Sequence, residues 1–239
     1  MLKVAIAGAL GRMGCLTHET IQNAPDLAYA GGFARTAVSD SSIYDDLGRM
    51  LDECAPDVLV DFTTYPKSVE VAMQALIAGV SPIVGSSGWS PQERNELAEG
   101  AKERRIGAMI VPNFAVGAVL MMRFAQEAAP HFASAEIIEM HRAEKLDKPS
   151  GTALATAERI SAGGRRGEVP IHSVRMTGLL SHQEVLLSNN GELLTIRHDS
   201  LSRESFAAGI LWAVRNVRSF SRLVIGLDSI LFDGPHGDA

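Results

Sequence analysis

Between His141 and Ala153 the chain reads HRAEKLDKPSGTA: a histidine, an arginine, two lysines and two acids within eight residues, then a proline and a restart as Ser-Gly-Thr-Ala. Such a set could hold an anion and hand it a proton. A C=N or conjugated C=C bond that accepts hydride develops negative charge, so it needs a nearby proton donor or cation. Lys145 is the better donor, because its compact ammonium can lose a proton whereas Arg142 stays charged. His141 can act as acid or base near neutral pH. Pro149, Ser150, Gly151 and Thr152 can open a helix whose backbone amides and hydroxyls hold a carboxylate. Together the cations and the helix opening suit a small dicarboxylate. The same residues admit a structural alternative, with His141 and Lys145 as ion-pair partners of Glu139, Glu144 or Asp147 and Ser150 as a plain helix cap.

A second candidate lies near the start. GALGRMG sets glycines at 8, 11 and 14 between a strand and a helix. Gly8 can make the tight turn, Gly11 can let backbone approach a pyrophosphate, and Gly14 can let the helix pack closely, while the helix amide end attracts phosphate. The spacing is GxxGxxG rather than GxGxxG, and a bare triplet could be a turn alone; its place first in a strand-helix-strand series points to a dinucleotide. An NAD site usually carries an acid after the second strand. Here that region reads GGFARTAVSD, with Ala34 at the tip and Arg35 beside it. Arg35, with Arg12, could bind a 2′-phosphate through a planar guanidinium, which favours NADPH over NADH, or either could be a solvated surface group. Asp61-Phe62-Thr63-Thr64 and Gly85-Ser86-Ser87-Gly88 could enclose the ribose and nicotinamide, with Asp61 as an alternative helix cap.

The elements around these stretches set their place. KVAIAG, LAYAGGFA, DVLVDFT, PIVGSSG and IGAMIVPNF read as strands, and ALGRMGCLTHETIQNA, SIYDDLGRMLDECAP, KSVEVAMQALIAGV and SPQERNELAEGAKERR as helical segments, the last opened by a Ser90/Glu93 capping box. Their alternation predicts an α/β, Rossmann-like parallel sheet with ligands at the strand ends. Later segments differ. AVGAVLMMRFAQEAAPHF and GTALATAERISA read as helices, and ASAEIIEMHRA, VPIHSVRMTG, SHQEVLLSNN and GELLTIRHDS as strands, the last two joined through Asn189-Asn190-Gly191. SRESFAAGILWAVRNVRSF returns to helix, and FDGPHGDA looks like a loose polar tail. The expected division is residues 1–113 plus about 203–239 for the dinucleotide and 114–202 for a mixed α+β substrate and oligomerisation domain.

Composition narrows the function classes. The 239 residues are 46% hydrophobic and 21% charged, with a formal net charge of -6, which argues against general affinity for nucleic acid or anionic membrane. MLKVAIAGALGRMG superficially echoes a leader, but glycines and Arg12 interrupt its apolar run, and no segment reaches bilayer length. Two cysteines, Cys15 and Cys54, form neither a metal spacing nor a disulfide framework. A cytoplasmic protein without a metal is expected. His172, His182 and His198 fall in strands, where local hydrogen-bond networks would occupy them.

Taken together, GALGRMG, DFT, VGSSG, VPNFAVG and EMHRAEKLDKPSGTA, followed by HSVRMTGLLSHQEV and LTIRHDSLSRESFAAG, resemble the dihydrodipicolinate reductase family over nearly the whole chain. The resemblance implies that Gly8, Arg12, Met13 and their neighbours hold the cofactor, with Arg35 beyond the second strand. Gly85 to Gly88 would lie between nicotinamide and substrate, and Asn113 and Phe114 at the crossing to the substrate domain. His141 and Lys145 would be the acid/base pair, and Ser150, Gly151 and Thr152 would hold a substrate carboxylate. Family members commonly carry His-His-Arg where this chain has His141-Arg142-Ala143, and Gly-Thr-Thr-Gly at Gly85 to Gly88. The implied reaction is NAD(P)H-dependent reduction of the dehydrated ring from 4-hydroxy-tetrahydrodipicolinate, in a homotetramer. A reductase of another small imine or enamine acid, or a catalytically weak NADP-binding regulator, stands as the alternative.

Overall fold

A computed structural model describes residues 1–36, 42–164 and 167–233. From residue 234 the expected polar tail lies outside the described residues. The chain divides into two compact units, Met1–Phe114 with Phe206–Ala239, and Ala115–Ser205.

The first unit opens with β1 (Leu2–Ala7), α1 (Arg12–Gln22), β2 (Leu27–Phe33), β3 (Ile43–Tyr44), α2 (Leu47–Cys54) and β4 (Val58–Asp61). It continues with α3 (Lys67–Ile77), β5 (Ser81–Val84), α4 (Pro91–Arg104) and β6 (Ala108–Ile110). The second unit holds α5 (Val116–Ala128), β7 (Ser134–His141), α6 (Gly151–Ala162), β8 (Ile171–Arg175), β9 (Ser181–Asn189) and β10 (Glu192–Ser200). The chain then returns to the first unit as α7 (Ala207–Asn216) and β11 (Leu223–Ile225).

The first unit's sheet is parallel throughout, in the order β11-β6-β5-β4-β1-β2-β3. Val4 to Ala7 and Val58 to Val60 have no exposed surface, as strands covered on both faces require. Ala5, Ala7 and Leu59 pack with Leu47, Met50 and Val71 of α2 and α3, while α7 packs against α1. Each large aliphatic side chain buried this way contributes roughly 1.5–3 kcal/mol. Because β2 lies on one side of β1 and β4 on the other, the order reverses there and leaves a crevice at the strand ends, where open α/β sheets take their ligands.

Two segments depart from the sequence reading. The stretch expected as one helix from Ser42 is helical only from Leu47, because the Asp46 carboxylate accepts from the Arg49 amide at 2.8 Å and caps it. Ile43 and Tyr44 instead extend the sheet beside Gly32 and Phe33. The edge strand β11 went unread; its three residues are too few to show a period.

The second unit's sheet has the order β10-β9-β7-β8, with β7 and β8 parallel and the other pairings antiparallel. Alternation along β7 buries Ala135, Ile137, Glu139 and His141 on one face, and α6 packs on β7 and β8 while α5 packs on β10. Two polar residues thus close an otherwise apolar row. That placement makes them the natural start of a site.

Candidate active site

At the end of β1, Gly8 turns the chain with φ +74°, a conformation open to glycine at little cost. Gly14 sits so close beneath this turn that a Cβ would lie 2.3 Å from the Gly8 carbonyl oxygen. Gly11 is the N-cap of α1 and has no side chain to satisfy the helix amides, and Arg12, exposed, is its first residue. The amide end of α1 therefore faces a glycine-lined turn.

Two cavities flank the turn. The larger, about 540 Å³, is lined by Gly8, Gly11, Phe33, Arg35, Thr63 and Lys67 among others. The smaller, about 400 Å³, is lined by Met13, Gly85, Ser86, Ser87 and Tyr65, and shares Phe62, Thr63 and Thr64 with the first. The Phe62 ring packs tilted, at 5.5 Å between ring centres, against buried Phe114, the residue after half-buried Asn113. The Ser86 hydroxyl oxygen is shielded from solvent and has no partner among the described residues. A turn that excludes a Cβ, an uncapped helix start and an orphaned hydroxyl together fit a dinucleotide.

Asp61 departs from the expected ribose contact. Its carboxylate is wholly buried and is not among the groups lining either cavity. One oxygen accepts from the Thr63 amide at 2.7 Å, the other has no partner among the described residues, and α3 begins six positions further on. Burial pushes its pKa up to about 7, against the pull of the Thr63 bonds. The bond to the amide two residues on is the local turn that aspartate commonly makes. Lys67, which opens α3 and lines the larger cavity, is the residue that the sequence reading passed over.

In the second unit the charged stretch is organised from below. Glu139, with no exposed surface, is gripped by the Arg175 guanidinium through two bonds of 2.8 Å. His141 Nδ1 lies 2.5 Å from Glu139 Oε2, and its Nε2 lies 3.0 Å from Ser181 Oγ. A carboxylate only accepts, so Nδ1 carries the proton and Nε2 accepts from the Ser181 hydroxyl. Register explains the meeting: His141 pairs with Arg175 on β8 and with Ser181 on β9. Burial, with Lys145 and Arg175 nearby, holds the His141 pKa below its ordinary value against the opposing Glu139. Burial alone would raise Glu139, but its bonds to Arg175, Ser173 and His141 bring it below the usual range.

Arg175 also reaches forward. Its guanidinium donates to the Asp147 carbonyl at 2.6 Å and the Lys145 carbonyl at 3.2 Å, tying the loop after β7 to the sheet. Lys145 Nζ donates to both Asp147 carboxylate oxygens at 2.7 and 2.8 Å, and this bond draws the Asp147 pKa down. Ser150 is buried and accepts from the Ala153 amide at 3.2 Å, capping α6. Gly151 is exposed, and Thr152 is held by Thr156, which in turn accepts from Gln183 at 2.7 Å. Arg142 is half-buried, directly after the strand. The ion pairs weighed as an alternative for His141 and Lys145 do form, with Glu139 and Asp147, the first buried and the second partly exposed. His172 and His182 are occupied by Glu136 at 2.8 Å and Asp199 at 2.6 Å. Among the described residues no group of His, Cys, Asp and Glu is placed to hold a metal, and no helix is long and apolar enough to cross a membrane.

The family model for dihydrodipicolinate reductase, N-terminus, matches residues 2–114, and that for its C-terminus matches residues 117–231. The chain belongs to the dihydrodipicolinate reductase family. It is 41% identical to 4-hydroxy-tetrahydrodipicolinate reductase of Bacillus licheniformis, covering 96% of this chain and 98% of the relative. With the Geobacillus kaustophilus enzyme of the same name the identity is 42%, over 96% and 99%. A solved dihydrodipicolinate reductase from Paenisporosarcina sp. TG-14, bound to dipicolinate, superposes with a TM-score of 0.89 at 34% identity, over 97% of this chain and all of that one. Membership fixes the reaction: reduction of the ring from 4-hydroxy-tetrahydrodipicolinate with NAD(P)H, in diaminopimelate and lysine biosynthesis.

Proposed function

We propose that the two units divide this reduction between them, the first holding the cofactor and the second holding the substrate and supplying its proton. Gly8, Gly11, Arg12, Met13 and Gly14 surround the pyrophosphate, Arg35 takes the 2′-phosphate of NADPH, and Gly85, Ser86, Ser87, Asn113 and Phe114 line the nicotinamide end. When bound, the cofactor supplies hydride. The substrate is a small dicarboxylate, in keeping with the dipicolinate held by the Paenisporosarcina relative. Arg142 holds one carboxylate and Ser150, Gly151 and Thr152 receive the other, the exposed amide end of α6 favouring an anion.

Loss of the 4-hydroxyl as water leaves a conjugated ring, and hydride arriving at C4 leaves an enamine that must gain a proton. Lys145 Nζ donates it, and His141, neutral near pH 7, is its acid/base partner. The observation that carries this reading is the Glu139, His141 and Arg175 network, which fixes the imidazole tautomer and anchors the Lys145 carbonyl in one piece. Holding such groups in place before the substrate arrives removes a reorganisation cost from the reaction.

The free thiols of Cys15 and Cys54 suit a reducing cytoplasm. The sheet face opposite α5 and α6 presents half-buried Ile138, Met140, Val174 and Leu186 and the exposed Leu193. Homotetramer formation through this face would cover it.

The test is oxidation of NADPH and NADH with 4-hydroxy-tetrahydrodipicolinate generated in place and dipicolinate as a probe. Turnover that prefers NADPH and is inhibited by dipicolinate competitively against the substrate is expected. Clean cofactor binding with no oxidation would contradict the assignment.

A further inference from the structure

Besides Arg35, the larger cavity of the first unit is lined by a second cation, Lys67. Its Nζ stands 5.6 Å from the centre of the Phe33 ring, and Phe33 ends β2 two residues before Arg35. A cation at that range from an aromatic centre is attracted by the ring's electrons. The ammonium, still partly exposed, therefore stands near the end of β2. It is held there by Glu70, 2.8 Å away and one turn along α3, which also accepts from Gln74 at 3.2 Å. Glu70 is not among the residues lining the cavity, whereas both cations are, and among the described residues no carboxylate lines it. A cavity whose described lining offers two cations and no carboxylate is matched to a phosphate rather than to a ribose hydroxyl pair.

We propose that Lys67 is a specificity-determining residue for the cofactor, receiving the 2′-phosphate of NADPH jointly with Arg35. Glu70 occupies its ammonium when no phosphate is present. This rests on the reading of the cavity as the adenosine end of the cofactor site. Glu70 and a phosphate dianion compete for one ammonium, so Glu70 restrains the preference that Lys67 creates. The two substitutions at this pair consequently act in opposite directions, which a merely structural ion pair on the helix surface would not do.

Full-length wild type, Lys67→Gln and Glu70→Gln are titrated with NADPH and NADH by calorimetry, so that the readout is affinity rather than turnover. For Lys67→Gln the NADPH Kd should rise about 5–10-fold while the NADH Kd stays within about twofold, the size of a charge-assisted contact at a half-exposed site. For Glu70→Gln the NADPH Kd should fall roughly 2–5-fold with NADH unmoved, and raising the salt should narrow both differences. An exposed pair contributes little to folding, so both variants should melt within about 2 °C of wild type. Unchanged NADPH affinity in Lys67→Gln, an equal loss for both cofactors, or weaker NADPH binding in Glu70→Gln would overturn the role of Lys67. A wild type that binds neither dinucleotide would remove the reading of the cavity itself.

Discussion

In the first unit the candidate site is built mostly from main chain, a turn without side chains and the ends of strands, whereas in the second each reactive group is held by another side chain. Gly8 and Gly14 act by what they lack, and a Cβ at Gly14 would meet the Gly8 carbonyl at 2.3 Å. His141 and the Lys145 loop act through Glu139 and Arg175, which are anchored in the sheet. The difference teaches where damage should appear. Losing one peripheral cation in the first unit should cost affinity for one cofactor, while losing one member of the second unit's network should cost fold and chemistry together.

The largest effect is expected at the buried acid. Glu139→Gln leaves Arg175, 7% exposed, without its carboxylate. Breaking a buried pair from one side costs on the order of 3–5 kcal/mol, read as a lower urea midpoint at pH 7. The Glu139 pKa is lowered in the fold, so its contribution is present above the unfolded carboxylate value and fades as pH falls through the folded one. The same substitution should lower the His141 pKa further by NMR titration, because Glu139 favours the imidazolium.

Next comes Asp61, a first-unit exception to the contrast because it is a buried side chain. Its pKa rises from the ordinary 3.8 to about 7, so between those values the unfolded chain has released a proton that the folded chain keeps. Stability is therefore lost as pH rises through this window, by on the order of 4 kcal/mol on linkage. Asp61→Asn should flatten that slope in urea melts taken from pH 4 to 8. An unchanged slope would show that Asp61 is not responsible for it.

Smaller effects separate the two anion sites. Arg142→Ala should raise the substrate KM roughly 10–100-fold, the range for losing a charged hydrogen bond, with the cofactor KM unmoved. Arg35→Ala should raise the NADPH KM about tenfold and leave NADH alone. If Arg142→Ala instead weakened cofactor binding, the division of labour between the units would fail.

How much of this was legible follows from how local each signal is. GALGRMG and the strand ends could be read because turn chemistry lies within a few residues, and Lys145 and Ser150 because they share one stretch with His141. Arg175 and Ser181 could not, since they meet Glu139 and His141 across 36 and 40 residues, through pairings that a period-two pattern does not choose. Asp61 was legible as a polar group at a strand end, but not the direction in which its carboxylate turns. Lys67 reads in sequence as an ordinary first-turn lysine; only the Phe33 ring beneath it and the cavity beside it give it a second role.

The central claim is that the second unit's charged loop supplies the proton while the first unit holds the cofactor. Lys145→Ala tests it most directly, with kcat on the authentic substrate, the NADPH Kd and the urea midpoint measured on one preparation. The expected result is a kcat lowered about 10²–10⁴-fold with affinity and midpoint unchanged. Turnover within tenfold of wild type, or a loss of turnover that follows a loss of cofactor binding or of the fold, would contradict it.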